Sequence, residues 1–151
     1  MVKYFALFVF GITTSVAGAQ ELSESSTSPE ASIIVEGETA DLSAYSWVNR
    51  PLVIFADSDK DPRFEQQMGY ITEGLGELAE RDVIVLTDTT PKPLSSLRTG
   101  LRPRGFMLVL IGKDGNIYLR KPLPWDIREI TRAIDKMPLR QQEVHDRREA
   151  R

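Results

Sequence analysis

The chain has 151 residues, a formal net charge of −3 and no cysteine. That length holds one domain and not comfortably two. The missing sulfur excludes disulfide staples, thiol chemistry, thiolate metal sites and iron–sulfur clusters, and the acidic balance argues against general nucleic-acid binding.

Residues 1–19 carry Lys3, an apolar stretch from Tyr4 to about Ile12, and Ala17-Gly18-Ala19, the small-x-small pattern read by signal peptidase. The apolar stretch is shorter than the ~20 residues of a spanning helix. A cleaved signal peptide is therefore expected over a membrane anchor, and no cysteine follows it to accept a lipid. The expected destination is a bacterial periplasm or the exterior, with no stable membrane span after cleavage. Losing Lys3 makes the mature chain one charge more acidic. Residues 20–40 open with QELSESSTSPEAS, which has almost nothing to bury and reads as a disordered linker. Its final part, Ile33 to Gly37, is a candidate short edge strand.

A packed domain is expected over residues 41–138. Leu52 to Ala56 is a continuous apolar run, as in a strand covered on both faces. Asp61-Pro62 then reads as a helix N-cap followed by proline at the first helical position. Phe64, Met68, Ile71, Leu75 and Leu78 step by four and three along one helical face. Gly69, Gly74 and Gly76 weaken that helix by about 1 kcal/mol each relative to Ala, so packing must hold it.

Asp82 to Thr87 is a second buried strand. A polar connector with a short helix over Leu94 to Leu101 leads to a third strand, Phe106 to Gly112. Asp114-Gly115 predicts a tight hairpin of type I′, after which Ile117 and Leu119 alternate with Tyr118 and Arg120. The last helix is expected from Asp126 to Met137, with Pro138 ending it and residues 139–151 as a charged tail open to extension as helix. The order β-α-β then β-β-α implies a right-handed parallel crossover followed by antiparallel strands and a covering helix. This is an α/β, thioredoxin-like three-layer core: a mixed central sheet with helices on both faces.

Trp47 with Arg50-Pro51-Leu52, Phe55-Ala56, Asp61-Pro62-Arg63, Gly112-Lys113-Asp114-Gly115 and Met137-Pro138-Leu139-Arg140 together resemble the family known as domain of unknown function 4174. That family includes small exported bacterial proteins and modules of animal extracellular-matrix proteins such as the sushi-repeat and coiled-coil-domain-80 proteins. The resemblance covers about Asp41 to Glu143 and implies a thioredoxin-like fold with no established reaction. A looser likeness to peroxiredoxin-type domains lies in LSAYSWVNRPLVIFA. Where such folds carry C-x-x-C, this chain has Lys60, Asp61, Pro62 and Arg63. The position of their cis-proline falls at Met107 or a neighbour, with Pro103 too early. Dithiol exchange and thiol peroxidase chemistry are excluded.

Three candidate sites follow. Asp57-x-Asp59-x-Asp61 starts like a calcium loop, but Pro62 and Met68 stand where Gly and Glu are required. That leaves a helix-capping carboxylate cluster or an irregular cation site. Antiparallel pairing of the first and third core strands would bring Arg102 and Arg104 towards Asp57, Lys60, Asp61, Arg63 and the helix start. This is either an anion site or a set of surface pairs with Asp57, Asp59, Asp61 and Asp88. Trp47 beside Arg50 and Pro51 is either an interface aromatic or, as favoured here, a core-closing ring under a stacked arginine. Trp125, after Pro122-x-Pro124, is expected to be partly exposed. His145 has no nucleophile motif near it, and Gly112-x-x-Gly115 lacks the helix of a phosphate loop.

No metal and no cofactor are expected. The favoured function is a non-catalytic, exported module that binds another envelope protein or a small anionic ligand at the former thiol corner. The alternatives are an acid–base enzyme using Asp57 or Asp61 with Lys60 and Arg63, and an envelope scaffold with an exposed apolar patch.

Overall fold

A computed structural model describes residues 33–151; the expected signal peptide and most of the expected linker lie outside them. Five strands form one sheet: β1 (Ile34–Glu36), β2 (Arg50–Phe55), β3 (Val83–Asp88), β4 (Met107–Ile111) and β5 (Ile117–Lys121), in the order β1-β3-β2-β4-β5. β3 pairs in parallel with both β1 and β2, while β4 runs antiparallel to β2 and to β5. The parallel crossover and the later antiparallel hairpin stand as the apolar runs imply. The weak IIVEG segment is an edge strand, so pairing begins inside residues 20–40.

Every residue of β2 is buried, because the sheet is covered on both faces. Leu52 and Ile54 point into a core closed by α1 (Pro62–Glu73), α2 (Leu75–Ala79) and α4 (Ile127–Asp135). Val53 and Phe55 point the other way, against α3 (Ser96–Leu101) and the 3₁₀ turn at Leu42–Tyr45. Each such side chain removed fully from water contributes about 1.5–3 kcal/mol. This two-sided burial explains how a chain without disulfides holds the sheet. The fold is α/β and thioredoxin-like.

Asp61 caps α1 as expected: its carboxylate accepts from the Arg63 N–H at 2.9 Å, and Pro62 takes the first turn. The helix predicted to run through Leu78 instead breaks at Gly74 and restarts as α2. A Cβ at Gly74 would lie 2.6 Å from Ile127 Cγ2. Glycine there lets α4 approach the break.

The hairpin is a different turn from the one expected. Gly115 alone takes positive φ, at 77°, and Asp114 does not. The Gly115 N–H donates to Gly112 O at 3.0 Å, so the residues before Gly115 make an ordinary turn and glycine absorbs the left-handed step. The pairing then shifts register, Leu110 opposite Leu119 but Ile111 opposite Ile117. Both Ile117 and Tyr118 are consequently exposed, against the expected alternation.

The helix begun at Asp126 ends before Pro138, as expected. α4 ends at Asp135, and Pro138 opens a further helix, α5 (Pro138–Glu149), at its first turn. The expected charged tail is a docked helix with Arg140 buried on it.

Candidate functional site

β2 ends at Phe55 opposite Met107, the first residue of β4, so the segments after β2, after β3 and before β4 converge at one end of the sheet. Asp57, Ser58, Lys60, Asp61, Pro62 and Arg63 line a shallow open cleft there of about 430 Å³. Lys60 to Arg63 thus occupy the start of α1, where sequence placed the former thiol pair.

The corner is largely self-paired. Arg63 grips Asp61 in a fork, Nε–Oδ1 at 3.0 Å and Nη2–Oδ2 at 2.7 Å, and lies 5.6 Å over the Phe106 ring. Hydrogen bonds from the Arg63 side chain and backbone hold the Asp61 carboxyl below its usual range. The anion position at the helix start is therefore filled by the chain's own carboxylate. Lys60 stays in solvent, 83% exposed and 3.7 Å from Asp59. An added Cβ on Gly105, which has a φ of 62°, would lie 3.8 Å from Asp57 Oδ2 and 3.9 Å from Arg63 Nη2. The loop before β4 therefore reaches this cleft.

Arg102 and Arg104 are both exposed. Arg102 lines a neighbouring hollow of about 380 Å³ with Leu94, Arg98, Thr99 and Pro103. Neither arginine makes an ion pair among the described residues. Asp88, expected as a surface partner, is instead fully buried and committed to Arg98.

That pair is the residue set sequence reasoning missed. Arg98 Nε donates to Asp88 Oδ1 at 2.8 Å, and its Nη2 donates to the carbonyls of Ala56 and Asp88. Ser95 Oγ donates to the other Asp88 oxygen and accepts from the Arg98 N–H, capping α3. Asp57 lies 3.8 Å from Arg98 Nη1, linking this buried pair to the open cleft. The only signal was a polar residue closing the strand and a serine suited to capping.

At the opposite end the Trp47 expectation fails. Trp47 is 71% exposed with φ at 64°, its N–H tied to Lys113 O at 2.8 Å. It does not close the core, and Arg50 does not stack on it. Arg50 is fully buried, donating to Arg81 O and to Glu143 Oε1, each at 2.9 Å. Lys113 Nζ reaches Asp82 at 2.8 Å and Glu143 at 3.0 Å. Pro51 sits inside β2, and Asp114 holds the turn by accepting from Asn116 and Tyr118.

Trp125 is half-buried as expected: Gln67 clasps its backbone, and Lys121 Nζ lies 4.4 Å from its ring centroid. His145 is exposed beside Glu149. Among the described residues, no cluster of His, Asp and Glu could hold a metal ion, and no helix is long and apolar enough to cross a membrane.

In fold the chain is similar to the crystal structure of reduced 2-Cys peroxiredoxin from Plasmodium vivax. The TM-score is 0.53 at 17% identity, over 72% of this chain and 85% of that one. Over 133 residues it is 30% identical to coiled-coil domain-containing protein 80 of Danio rerio, a match covering 68% of this chain. The chain spans only 15% of that protein's length. Matching the family's model over residues 41–143, the chain belongs to the family described as domain of unknown function (DUF4174).

Proposed function

We propose that this protein is an exported, non-thiol binding module that recognises another envelope protein through the charged corner at the start of α1. The observation that carries this reading is the self-neutralised site: Asp61 is locked by Arg63, and Asp88 by Arg98. The Asp61 carboxyl is shifted down, opposite to what a general acid or base working near neutral pH requires. This weakens the acid–base alternative. The same lock disfavours a small anion at the helix start. What remains projecting at the cleft is Lys60, Asp57 and Asp59, and the segment before β4 adds the exposed Arg102 and Arg104 beside it; this mixed-charge surface suits protein recognition.

The test keeps Arg63, whose side chain neutralises the capping carboxylate of Asp61. Lys60→Glu/Arg104→Glu in the mature chain should lose partners recovered from periplasmic extract, while Arg147→Glu on α5 should retain them. Equal recovery by both would refute the corner as the binding surface. The export half is checked separately: the processed protein should begin at Gln20, and retention of residues 1–19 would contradict it.

A further inference from the structure

The end of the sheet opposite the corner holds a charge network that is unevenly satisfied. Asp135 is taken by Arg81 in a fork, with Nε and Nη2 each 2.9 Å from its oxygens. Glu143 Oε1 is shared by Arg50 and Lys113 at 2.9 and 3.0 Å. Hydrogen bonds from Arg81 keep the Asp135 carboxyl low. Burial pushes Glu143 up, but Arg50 and Lys113 outweigh it and the net shift is down. Both carboxylates are thus ionised and committed.

Arg140 receives what is left. It is 7% exposed, yet its Nη1 stands 3.5 Å from Glu143 Oε2. Its Nε, 3.7 Å from Asp135, is buried without a hydrogen bond. Its Nη2 donates to no described residue. Charge-assisted contacts normally close to about 2.7–2.9 Å, and a buried cation this loosely compensated is costly. Arg140 lines an open cleft of about 420 Å³ with Arg81, Asp135, Gln141, Val144 and Arg148. Arg148 is exposed and makes no ion pair among the described residues. The cleft therefore faces three guanidiniums with one carboxylate, itself already held.

We propose that this cleft, between the turn at Arg81, the end of α4 and α5, binds a small phosphate-class dianion through Arg140 and Arg148. Guanidinium geometry matches oxyanions in a fork. One cation without an ion pair among the described residues, Arg148, and one held only at 3.5 and 3.7 Å from its carboxylates, Arg140, complement a dianion better than a monocarboxylate. Val144 and Gln141 leave an apolar and an amide surface for the remainder of a phosphomonoester, and the volume is that of a small-molecule site. The proposal is independent of the corner at the other end of the sheet.

The test is a titration of the isotope-labelled mature protein with inorganic phosphate at constant ionic strength, against sodium chloride and sodium acetate. The readout is the amide resonances of Arg140, Gln141, Val144 and Arg148. Saturable shifts with one shared dissociation constant are expected from phosphate, and weaker ones from acetate. Arg148→Glu, on an exposed position, should weaken phosphate binding at least about tenfold, the scale of one lost charged hydrogen bond, with an unchanged melting temperature in phosphate-free buffer. Arg140→Lys, which keeps the charge and loses the fork, should weaken it too. No saturable shift beyond chloride would overturn the proposal, as would equal affinity for acetate or unchanged affinity in Arg148→Glu.

Discussion

Asp88→Ala isolates the energetic keystone of the corner. Asp88 is fully buried and gives Arg98 its one hydrogen-bonded carboxylate, at 2.8 Å. Removing it leaves a 6% exposed guanidinium with two backbone carbonyls and Asp57 at 3.8 Å. It also strips the acceptor of Ser95, the cap of the six-residue α3. Breaking a buried pair from one side costs about 3–5 kcal/mol, a large share of the roughly 5–15 kcal/mol that holds a domain folded. With a urea slope of about 2 kcal/mol/M, the unfolding midpoint should drop by about 2 M. In Asp88→Ala/Arg98→Met the orphaned cation is gone, and an apolar chain of similar length covers the Phe55 ring, over which the Arg98 guanidinium lies at 5.5 Å. That double variant should recover much of the loss. A single-variant loss under about 1 kcal/mol, or a double variant as unstable as the single, would refute the assignment of Arg98 as a cation that depends on Asp88.

Three further outcomes follow from the same geometry. Glu143→Ala should cost about 2–3 kcal/mol in urea unfolding, below the full buried-pair value because the glutamate side chain is 21% exposed; Glu149→Ala, in an exposed pair with His145, should not measurably change it. Gln67→Leu leaves the Trp125 backbone N–H and C=O without their partners at 2.7 and 3.0 Å and should cost about 1–3 kcal/mol; a neutral result would mean water replaces the clasp. Asp135 and Glu143 have lowered folded pKa values, so their contribution is complete above the unfolded values of about 3.9 and 4.3 and lost as pH falls through the folded ones. The urea midpoint should therefore fall below about pH 4, less steeply in Glu143→Gln, and an identical acid profile in that variant would contradict the pairing.

The local signals in the chain carried the frame well. Apolar runs marked β2, β3 and β4, Asp61-Pro62 marked the start of α1, and Ile127, Ile130 and Ile134 marked the inner face of α4. What stayed hidden depends on partners far along the chain. Arg50 reads as a surface cation until Glu143, 93 residues later, is known to meet it. Arg98 and Gln67 are polar letters on helices, and only tertiary contact shows them buried. Trp47 misled because a large aromatic next to a core strand usually packs inward. Here a left-handed backbone at φ 64° accompanies a ring left in solvent. At the corner, Asp57, Lys60, Asp61 and Arg63 were placed together, but α3 and its buried ion pair hold Arg102 in a separate hollow.

The most direct measurement is site-specific photo-crosslinking in living cells, with a photoreactive residue at position 60 compared with one at position 147. If the charged corner is the binding surface, position 60 gives a discrete protein adduct that disappears when Arg102 and Arg104 are reversed to Glu, and position 147 does not. Adducts of the same mass from both positions, or none from position 60, would contradict it.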